Sequence, residues 1–280
     1  MKVAVITDST AYIPASTRDR WNIHMIPLNV VFGNESYREE VDIEADEFYS
    51  MVKKVDELPK TSQPSIGLFT ELYEQLSTSY DAVISVHLSS GISGTYQAAI
   101  TAGNMVEGID VYAFDSEISC MAQGFYAIEA AKLANNGATV DQILSRLDEM
   151  KQSMRAYFMV DDLSHLHRGG RLNGAQALVG SVLQVKPLLH FVDKKIVPFE
   201  KIRTSKRALK RIIGLFAEDA ETGKSIKASV IHSQIESEAI KLKEELEARY
   251  DNVDVSISYF GPVIGTHLGE GAIGLAWYIE

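Results

Sequence analysis

Hydroxyl-bearing side chains are concentrated in a glycine-rich segment of the chain, residues 89–95, which reads Ser-Ser-Gly-Ile-Ser-Gly-Thr. The apolar run before it, residues 81–87, predicts a buried strand, and the alanine-rich run 95–106 after it predicts a helix. A turn at the start of a helix offers free backbone N–H groups and the positive end of the helix dipole. The segment therefore predicts an anion site for a phosphate or a carboxylate, and a solvated turn is the alternative.

Three catalytic or nucleotide-binding patterns are matched only in part. The nucleophile elbow Gly-x-Ser-x-Gly fails around Ser93 because Thr95 stands at its last position. A phosphate-binding loop ending at residues 223–225 fails because Glu218 stands in place of its first glycine. Residues 269–274 match Gly-x-Gly-x-x-Gly, but a predicted strand follows where a dinucleotide site needs a helix. We therefore expect no nucleotide site in these segments.

A second pair of hydroxyl groups, Thr61 and Ser62, lies in the segment 60–65. This segment is polar and contains Pro64, so no regular element is predicted for it. Ser65 has the position of an N-cap for a predicted helix over residues 66–80. The pair is a further cluster of donors beside a helix start, and it could face the loop that carries Ser93.

Cations and histidines provide the other candidate binding groups. Residues 168–171 read Arg-Gly-Gly-Arg. Glycine between two arginines lets the guanidinium groups approach an anion closely. The end of a helix followed by a surface turn explains the pattern equally well. His165 and His167 are two residues apart, which does not place them on one helix face, so no metal site is expected. His267 lies in the glycine-rich segment 261–271, for which a loop is predicted.

A hydrolase is one functional alternative that uses these residues. Ser93 would be its nucleophile and His267 its base. The elbow pattern is missing, however, and no acidic third member is identifiable in the sequence.

Composition limits the class of protein. The chain has 280 residues, 46% of them hydrophobic, and a formal net charge of −11, which argues against nonspecific nucleic-acid binding. No apolar run has the length of roughly 18 residues that a membrane span needs. An acidic residue, Asp8, comes too early for a secretory signal. The single cysteine, Cys120, fits a reducing compartment and is predicted to be a buried structural thiol, so we expect a cytoplasmic protein.

One segment is positively charged, in contrast to the net negative charge of the whole chain. Residues 194–211 contain eight cations and one acid, Glu200. The segment includes Arg203, Lys206 and Arg207. A solvated helix face and a contact patch for a phosphate or an acidic partner both remain open.

The order of predicted elements indicates an α/β fold. Strands predicted over residues 3–7, 24–32, 81–87 and 110–114 alternate with helices up to residue 150, which favours a mainly parallel, doubly wound sheet in a first domain, residues 1–154. A second domain, residues 155–280, is predicted to be mixed α/β, with a hairpin over residues 186–202 and a final strand over 272–278.

Seven motifs in series carry a resemblance to a known family. They are Asp8-Ser-Thr10, Thr61-Ser-Gln-Pro-Ser65, Ser89-Ser-Gly-Ile-Ser-Gly-Thr-Tyr-Gln97, Gly169-Gly-Arg171, Lys186-Pro187, Arg203-Thr204 and the segment 261–267. In this order and spacing the chain resembles the DegV family over essentially its whole length. Within that family it is most similar to the fatty-acid-binding subunits of bacterial fatty acid kinase.

The resemblance implies a two-domain DegV-like fold with the lipid site between the domains. It implies a bound long-chain fatty acid as the ligand, no other cofactor and no metal. The residues that match the family's carboxylate-binding positions are Thr61, Ser62, Ser93, Gly94, Thr95 and His267. Those that match positions supporting phosphoryl transfer are Arg171, Arg203 and His267, with Arg168 a looser match. None of them is assigned as a catalytic residue.

The resemblance also implies a carrier rather than an enzyme. Such a protein is not catalytic on its own and presents the fatty acid carboxylate to a separate ATP-dependent kinase subunit, which forms an acyl phosphate for phospholipid metabolism. We expect a cytoplasmic monomer with at most transient membrane contact and no nucleic-acid partner. A stand-alone lipid sensor is the alternative within the same ligand class.

Overall fold

The computed structural model describes residues 1–55, 57–172 and 186–280. Within these ranges no helix is both long enough and apolar enough to cross a bilayer. The strands are β1 (Val3–Asp8), β2 (Ile23–Ile26), β3 (Asn29–Phe32), β4 (Glu35–Arg38), β5 (Lys60–Ser62), β6 (Ala82–His87), β7 (Asp110–Asp115), β8 (Arg155–Met159), β9 (Lys186–Val192), β10 (Lys195–Ile202), β11 (Ile226–His232), β12 (Val253–Tyr259) and β13 (Ile273–Ile279). The helices are α1 (Ala15–Trp21), α2 (Ala45–Val52), α3 (Ile66–Ser77), α4 (Thr95–Gly103), α5 (Cys120–Asn135), α6 (Val140–Ser153), α7 (Ser164–Arg168), α8 (Ser205–Ala220), α9 (Glu236–Arg249) and α10 (Pro262–Leu268), and a 3₁₀ turn covers Ser9–Ala11.

A parallel four-stranded sheet with the order β2-β1-β6-β7 forms the centre of the N-terminal half. Every residue of β1 and β6 is buried, because helices cover both faces of the sheet. Successive side chains of a strand point to opposite faces. Accordingly, Ile6 packs with α3 and α4, whereas Val5 packs with α5 on the other face. The predicted doubly wound arrangement is confirmed.

A mixed six-stranded sheet with the order β10-β9-β8-β13-β11-β12 forms the C-terminal half. Only its β11–β12 pair is parallel among the described strands. Phe216 of α8 and Leu242 of α9 pack on one face, and the other face, which includes Phe158 and Ala276, belongs to the same apolar core as α5. Helix α5 is therefore shared between the two halves. The predicted domain boundary between residues 154 and 155 separates the strands of the parallel sheet from those of the mixed sheet. The division into two domains stays a prediction.

Two secondary-structure predictions in the N-terminal half are wrong. The strand predicted over residues 24–32 is split into β2 and β3, which belong to different sheets. Pro27 lies at the break and has no N–H group to continue a ladder. The irregular segment predicted at residues 60–65 contains β5, which pairs antiparallel with β3, with Thr61 opposite Val30. Local polarity concealed this strand because its partner is distant in sequence.

The prediction of a loop over residues 261–271 is also wrong, because this segment contains α10. Pro262 occupies the first turn of α10, where its missing N–H group does no harm. The next two N–H groups bond to distant side chains: Val263 donates to Glu39 Oε1 at 2.7 Å and Ile264 donates to Tyr12 Oη at 3.2 Å. Capping of a helix by side chains that are distant in sequence leaves no local signal in the sequence.

Candidate functional site

A cavity of about 290 Å³ lies between the two sheets, beside the N-terminal end of α5. Most of its lining is apolar and comes from elements of both halves of the chain. The apolar side chains of the lining include Leu28, Leu88, Ile92, Ile118, Ala122, Phe158, Leu166, Phe191, Ile196, Ile231, Phe260, Val263, Ile264, Leu268, Leu275 and Ala276. Such a lining fits an apolar ligand and offers it few groups for hydrogen bonding.

Strand β5 with the residue after it, three loops and helix α10 contribute polar groups to the cavity. They include Thr61, Ser62, Gln63, Ser93, Gly94, Ser119, Arg171 and His267. Four of the six residues predicted to bind a carboxylate are hydroxyl or histidine side chains in this lining, and Gly94 is a fifth lining residue. The structure therefore brings Thr61 of β5 and the Ser93 loop together on one cavity, which the sequence left open.

Thr61 and His267 form a hydrogen-bonded pair. The Thr61 Oγ1 and His267 Nε2 atoms are 3.0 Å apart. Burial, together with smaller electrostatic effects of Arg171 and His165, lowers the pKa of His267 to about 4, so the imidazole is neutral near pH 7. In the tautomer with the proton on Nε2, the imidazole donates to Thr61, and the Thr61 hydroxyl is then free to donate to an anion in the cavity.

Close packing fixes the position of the His267 ring. A Cβ atom added to Gly169 would lie 2.2 Å from His267 Nδ1, so only glycine allows this approach. Gly169 ends α7, and α10 carries His267. Gly169, the first glycine of the Arg-Gly-Gly-Arg segment, thus serves the contact between α7 and α10.

Arg171 connects the same end of the cavity to the Ser93 loop. Its Nε atom donates to the carbonyl of Ile92 at 3.2 Å, and its Nη1 atom donates to the carbonyl of Gly169 at 2.6 Å. The two bonds hold the guanidinium group at the wall of the cavity. A fixed guanidinium group is suited to binding a carboxylate or a phosphate.

The Ser93 loop is held by hydroxyl groups of its own. Ser93 Oγ is 2.9 Å from Thr95 Oγ1 and accepts from the Thr95 N–H group at 3.3 Å. Thr95 is fully buried and is not part of the cavity lining. It would therefore affect a ligand only indirectly, by holding the Ser93 hydroxyl group. Gly94 allows Gln63 to approach, because an added Cβ atom would lie 2.0 Å from Gln63 Oε1.

A buried Asp8–His87 pair supports the start of this loop. Asp8 Oδ2 accepts from the Leu88 N–H group at 3.0 Å and lies 3.0 Å from His87 Nδ1. Burial raises the pKa of Asp8, but the bonds from His87, Thr10 and Leu88 outweigh this effect and lower the pKa below its ordinary value.

His87 Nε2 also lies 2.7 Å from Ser85 Oγ. The Ser85–His87–Asp8 series has the connectivity of a catalytic triad, yet all three residues have no exposed surface and none lines the cavity. Sequence reasoning missed His87, although a histidine inside an apolar strand was a signal.

The hairpin of β9 and β10 holds the other side of the loop. Ser89 Oγ donates to the carbonyl of Lys194 at 2.6 Å and accepts from the Gly91 N–H group at 3.2 Å. Lys194 Nζ lies 2.9 Å from Asp115 Oδ2. Burial raises the pKa of Asp115, but hydrogen bonds from Ser90 and Lys194 outweigh it and lower the pKa. The loop is therefore fastened to the second half of the chain.

Two other predicted residues take different positions. Arg203 does not line the cavity and lies in a surface groove with Arg207, Lys210 and Arg211. Cys120 is buried, as predicted, and lines the cavity, where burial raises the pKa of its thiol well above the ordinary value. Within the ranges that the structure describes, no cluster of His, Cys, Asp and Glu could hold a metal ion.

Comparison with known proteins places the chain in a family. A family model described as "Uncharacterised protein, DegV family" matches residues 2–280. "Protein DegV" from Bacillus subtilis (strain 168) is 61% identical over 278 residues, which is 99% of each chain. The chain belongs to the DegV family.

Solved structures support the same assignment for this DegV-family chain. The structure of DegV from Bacillus subtilis, described as a fatty acid binding protein, superimposes with a TM-score of 0.96 at 60% identity and covers 100% of both chains. A DegV family protein from Thermus thermophilus, also described by its fatty acid binding, gives a TM-score of 0.94 at 30% identity and covers 100% of both chains. The predicted DegV-like α/β fold is confirmed.

Proposed function

We propose that this protein binds a long-chain fatty acid, with the acyl chain in the apolar cavity and the carboxylate at its polar end. The observation that carries the proposal is the arrangement of the cavity, in which apolar side chains form most of the wall and Thr61, Ser93, Arg171 and His267 contribute polar groups. Its fatty-acid-binding relatives in Bacillus subtilis and Thermus thermophilus support the choice of ligand.

The physical chemistry of the lining matches such a ligand. Each buried CH₂ group contributes about 0.8 kcal/mol, so a chain of many CH₂ groups supplies most of the affinity. Hydrogen bonds to a charged acceptor are roughly twice as strong as neutral ones. The hydroxyl groups of Thr61 and Ser93 and the guanidinium group of Arg171 would supply them, with Ser62, the Gly94 backbone, Thr95 and His267 in support.

We further propose that the protein is a carrier that is not catalytic on its own. It would present the carboxylate to a separate ATP-dependent kinase subunit, and an acyl phosphate would be formed there. The groove lined by Arg203, Arg207, Lys210 and Arg211 offers a cationic contact surface for that subunit. We expect the carrier to be a cytoplasmic monomer with at most transient membrane contact.

The lipid proposal is tested by denaturing the purified protein, extracting it with organic solvent and analysing the extract by mass spectrometry. We expect a near-stoichiometric fatty acid. If the extract is empty and the protein takes up neither added oleate nor palmitate, the proposal is wrong.

The carrier proposal has its own test. The loaded protein is incubated with ATP, alone and with a fatty acid kinase subunit, and acyl phosphate is trapped with hydroxylamine. We expect product only with the kinase subunit, and we expect Lys206→Glu with Arg207→Glu to reduce product while lipid retention is unchanged. Product formation by the isolated protein would overturn the carrier proposal and leave lipid binding intact.

A further inference from the structure

A second cavity, of about 240 Å³, adjoins the apolar wall of the first cavity. We call it the distal pocket. The two cavities share the lining residues Ile118, Ala156, Tyr157 and Phe191. The side chains proposed to hold the carboxylate, such as Ser93, line the first cavity and not the distal pocket. An acyl chain whose carboxylate lies at the polar end therefore approaches the distal pocket with its hydrocarbon part.

The distal pocket lies where α5, the start of β8 and the turn of the β9–β10 hairpin meet. Tyr126 of α5 and Lys194 of the turn are among its lining residues. Three of the four shared side chains, Ile118, Ala156 and Phe191, are apolar. A hydrocarbon chain can therefore cross this junction on apolar side chains and reach the polar wall behind it.

The charges on the wall of the distal pocket are balanced. Lys151 Nζ lies 3.4 Å from Glu117 Oε1. Lys194 Nζ, as described above, is paired with a neighbouring carboxylate. Arg155 and Asp193 also line the pocket, and their charges are opposite in sign. A wall of this kind does not favour an anion, and it suits a neutral polar group that both donates and accepts hydrogen bonds.

The Tyr126 hydroxyl group is the polar group of this wall that has no partner in the described part of the chain. Tyr126 is 1% exposed, and its hydroxyl group makes no hydrogen bond within residues 1–55, 57–172 and 186–280. Tyr12 and Tyr73 are equally buried, yet their hydroxyl groups donate to Glu39 at 2.9 Å and to Ser85 at 3.1 Å. Buried tyrosine hydroxyl groups generally find such a partner. The free Tyr126 hydroxyl group therefore indicates that the distal pocket receives a polar group from a ligand.

We infer that the distal pocket is a subsite for a hydroxyl group at the far end of the acyl chain, with Tyr126 as its hydrogen-bond partner. The inference rests on the proposed function. The ligand class is an ω-hydroxy fatty acid, which carries a hydroxyl group on the carbon farthest from the carboxylate. Burying a hydroxyl group without a hydrogen bond lowers affinity about fivefold or more, so a cavity closed at its apolar end would reject such an acid. The distal pocket removes this penalty.

The test measures binding to the full chain by displacement of a fluorescent fatty acid. The ligands are myristate, palmitate and stearate, each with its ω-hydroxy form. We expect the unmodified protein to bind the best-fitting ω-hydroxy acid within about threefold of the parent acid, because the hydroxyl group exchanges a bond with water for one with Tyr126. Tyr126→Phe should lose about fivefold or more in affinity for that ω-hydroxy acid and less than about twofold for the parent acid.

The control is Tyr112→Phe, which removes the hydroxyl group of a partly buried tyrosine on β7 that lines neither cavity. It should bind every ligand as the unmodified protein does. Retained binding of the parent acids shows that Tyr126→Phe is folded.

Two results would overturn the subsite while the proposed function stands. One is a Tyr126→Phe variant that binds every ω-hydroxy acid as tightly as the unmodified protein does. The other is an unmodified protein that rejects all three ω-hydroxy acids about fivefold or more relative to their parent acids. If the unmodified protein binds none of the parent acids, the proposed function itself is wrong and the subsite falls with it.

The junction between the cavities has a test of its own. Ala156 lines both cavities, so Ala156→Leu places a larger side chain in the passage. We expect this variant to weaken binding of the best-fitting ω-hydroxy acid about tenfold relative to binding of the shorter acid laurate, whose chain ends before the junction. Equal effects on the two acids would show that the chain does not pass Ala156, and the subsite would then be wrong.

Discussion

Glu39 Oε1 accepts a hydrogen bond at 2.7 Å from the backbone N–H group of Val263, which lies 224 residues later in the chain. The same oxygen accepts from the Tyr12 hydroxyl at 2.9 Å, and Oε2 accepts from the Ser9 hydroxyl at 2.5 Å. Val263 lies in the first turn of α10, and His267 lies in the last. Glu39 therefore fixes, from the N-terminal half, the helix that carries a histidine of the candidate site.

This contact predicts a pH dependence of stability. Burial raises the pKa of Glu39 from 4.5 to about 8, although its hydrogen bonds act in the opposite direction. The folded state then holds a proton that the unfolded state releases, so the contribution of Glu39 to stability is fully present below pH 4.5 and is lost as the pH rises to about 8. We expect the free energy of unfolding of the unmodified protein to fall across this window relative to that of Glu39→Gln.

The measurement is urea unfolding of both proteins at several pH values between 4.5 and 9. Glu245→Gln, an exposed position on α9, makes the same charge change and should follow the unmodified protein. Parallel profiles for the unmodified protein and Glu39→Gln would show that the proton is not bound at Glu39.

Removing the Ser93 hydroxyl should weaken fatty acid binding. A hydrogen bond to a charged group contributes about 1.5–3 kcal/mol, so we expect Ser93→Ala to raise the Kd for palmitate about tenfold to a hundredfold. Displacement of a fluorescent fatty acid measures the change. Ser79→Ala, at an exposed position after α3, is the control and should bind normally. An unchanged Kd for Ser93→Ala would place the carboxylate elsewhere.

Alanine substitutions at Gly91 and Gly214 should change the free energy of unfolding in opposite directions. A Cβ atom on Gly91 would lie 2.2 Å from the carbonyl oxygen of Lys194, so Gly91→Ala must push the hairpin away from the Ser93 loop. We expect it to lower the free energy of unfolding by about 1–3 kcal/mol and to weaken palmitate binding. Gly214 lies inside α8 with no atom within 4 Å of the added Cβ, so Gly214→Ala should raise stability by about 0.5–1 kcal/mol.

Thermal and urea unfolding of both variants check this pair. Equal stability of Gly91→Ala and the unmodified protein would mean that the contact between the hairpin and the loop is dispensable.

Filling the cavity should shorten the preferred acyl chain. Ala276 of β13 is buried and lines the cavity, and Ala276→Leu adds three carbon atoms there. A fatty acid that loses room for two CH₂ groups loses about 1.6 kcal/mol, more than about tenfold in affinity. We expect myristate to be favoured over stearate when the protein is offered an equimolar mixture and its extract is analysed by mass spectrometry. Ala248→Leu, exposed on α9, should leave the mixture unchanged, and the same result for Ala276→Leu would place the acyl chain outside this cavity.

The sequence alone determined the class of fold because its signals are local. The apolar runs of β1 and β6 and the N-cap at Ser65 all lie within a few residues of the elements that they specify. Hydrophobic period and capping chemistry act over one or two helical turns, so they are readable without a structure. The hydroxyl groups of Thr61 and Ser93 were recognised in the same way.

The tertiary structure decided how those groups meet. β5 is a strand only because β3 pairs with it, and α10 is held by Glu39 and Tyr12 from the opposite end of the chain. The cavity is lined by single residues from many elements, and no periodicity marks which of them share a wall. Sequence specifies side chains and local backbone, whereas a cavity depends on distances between elements, and packing of both halves around α5 sets those distances.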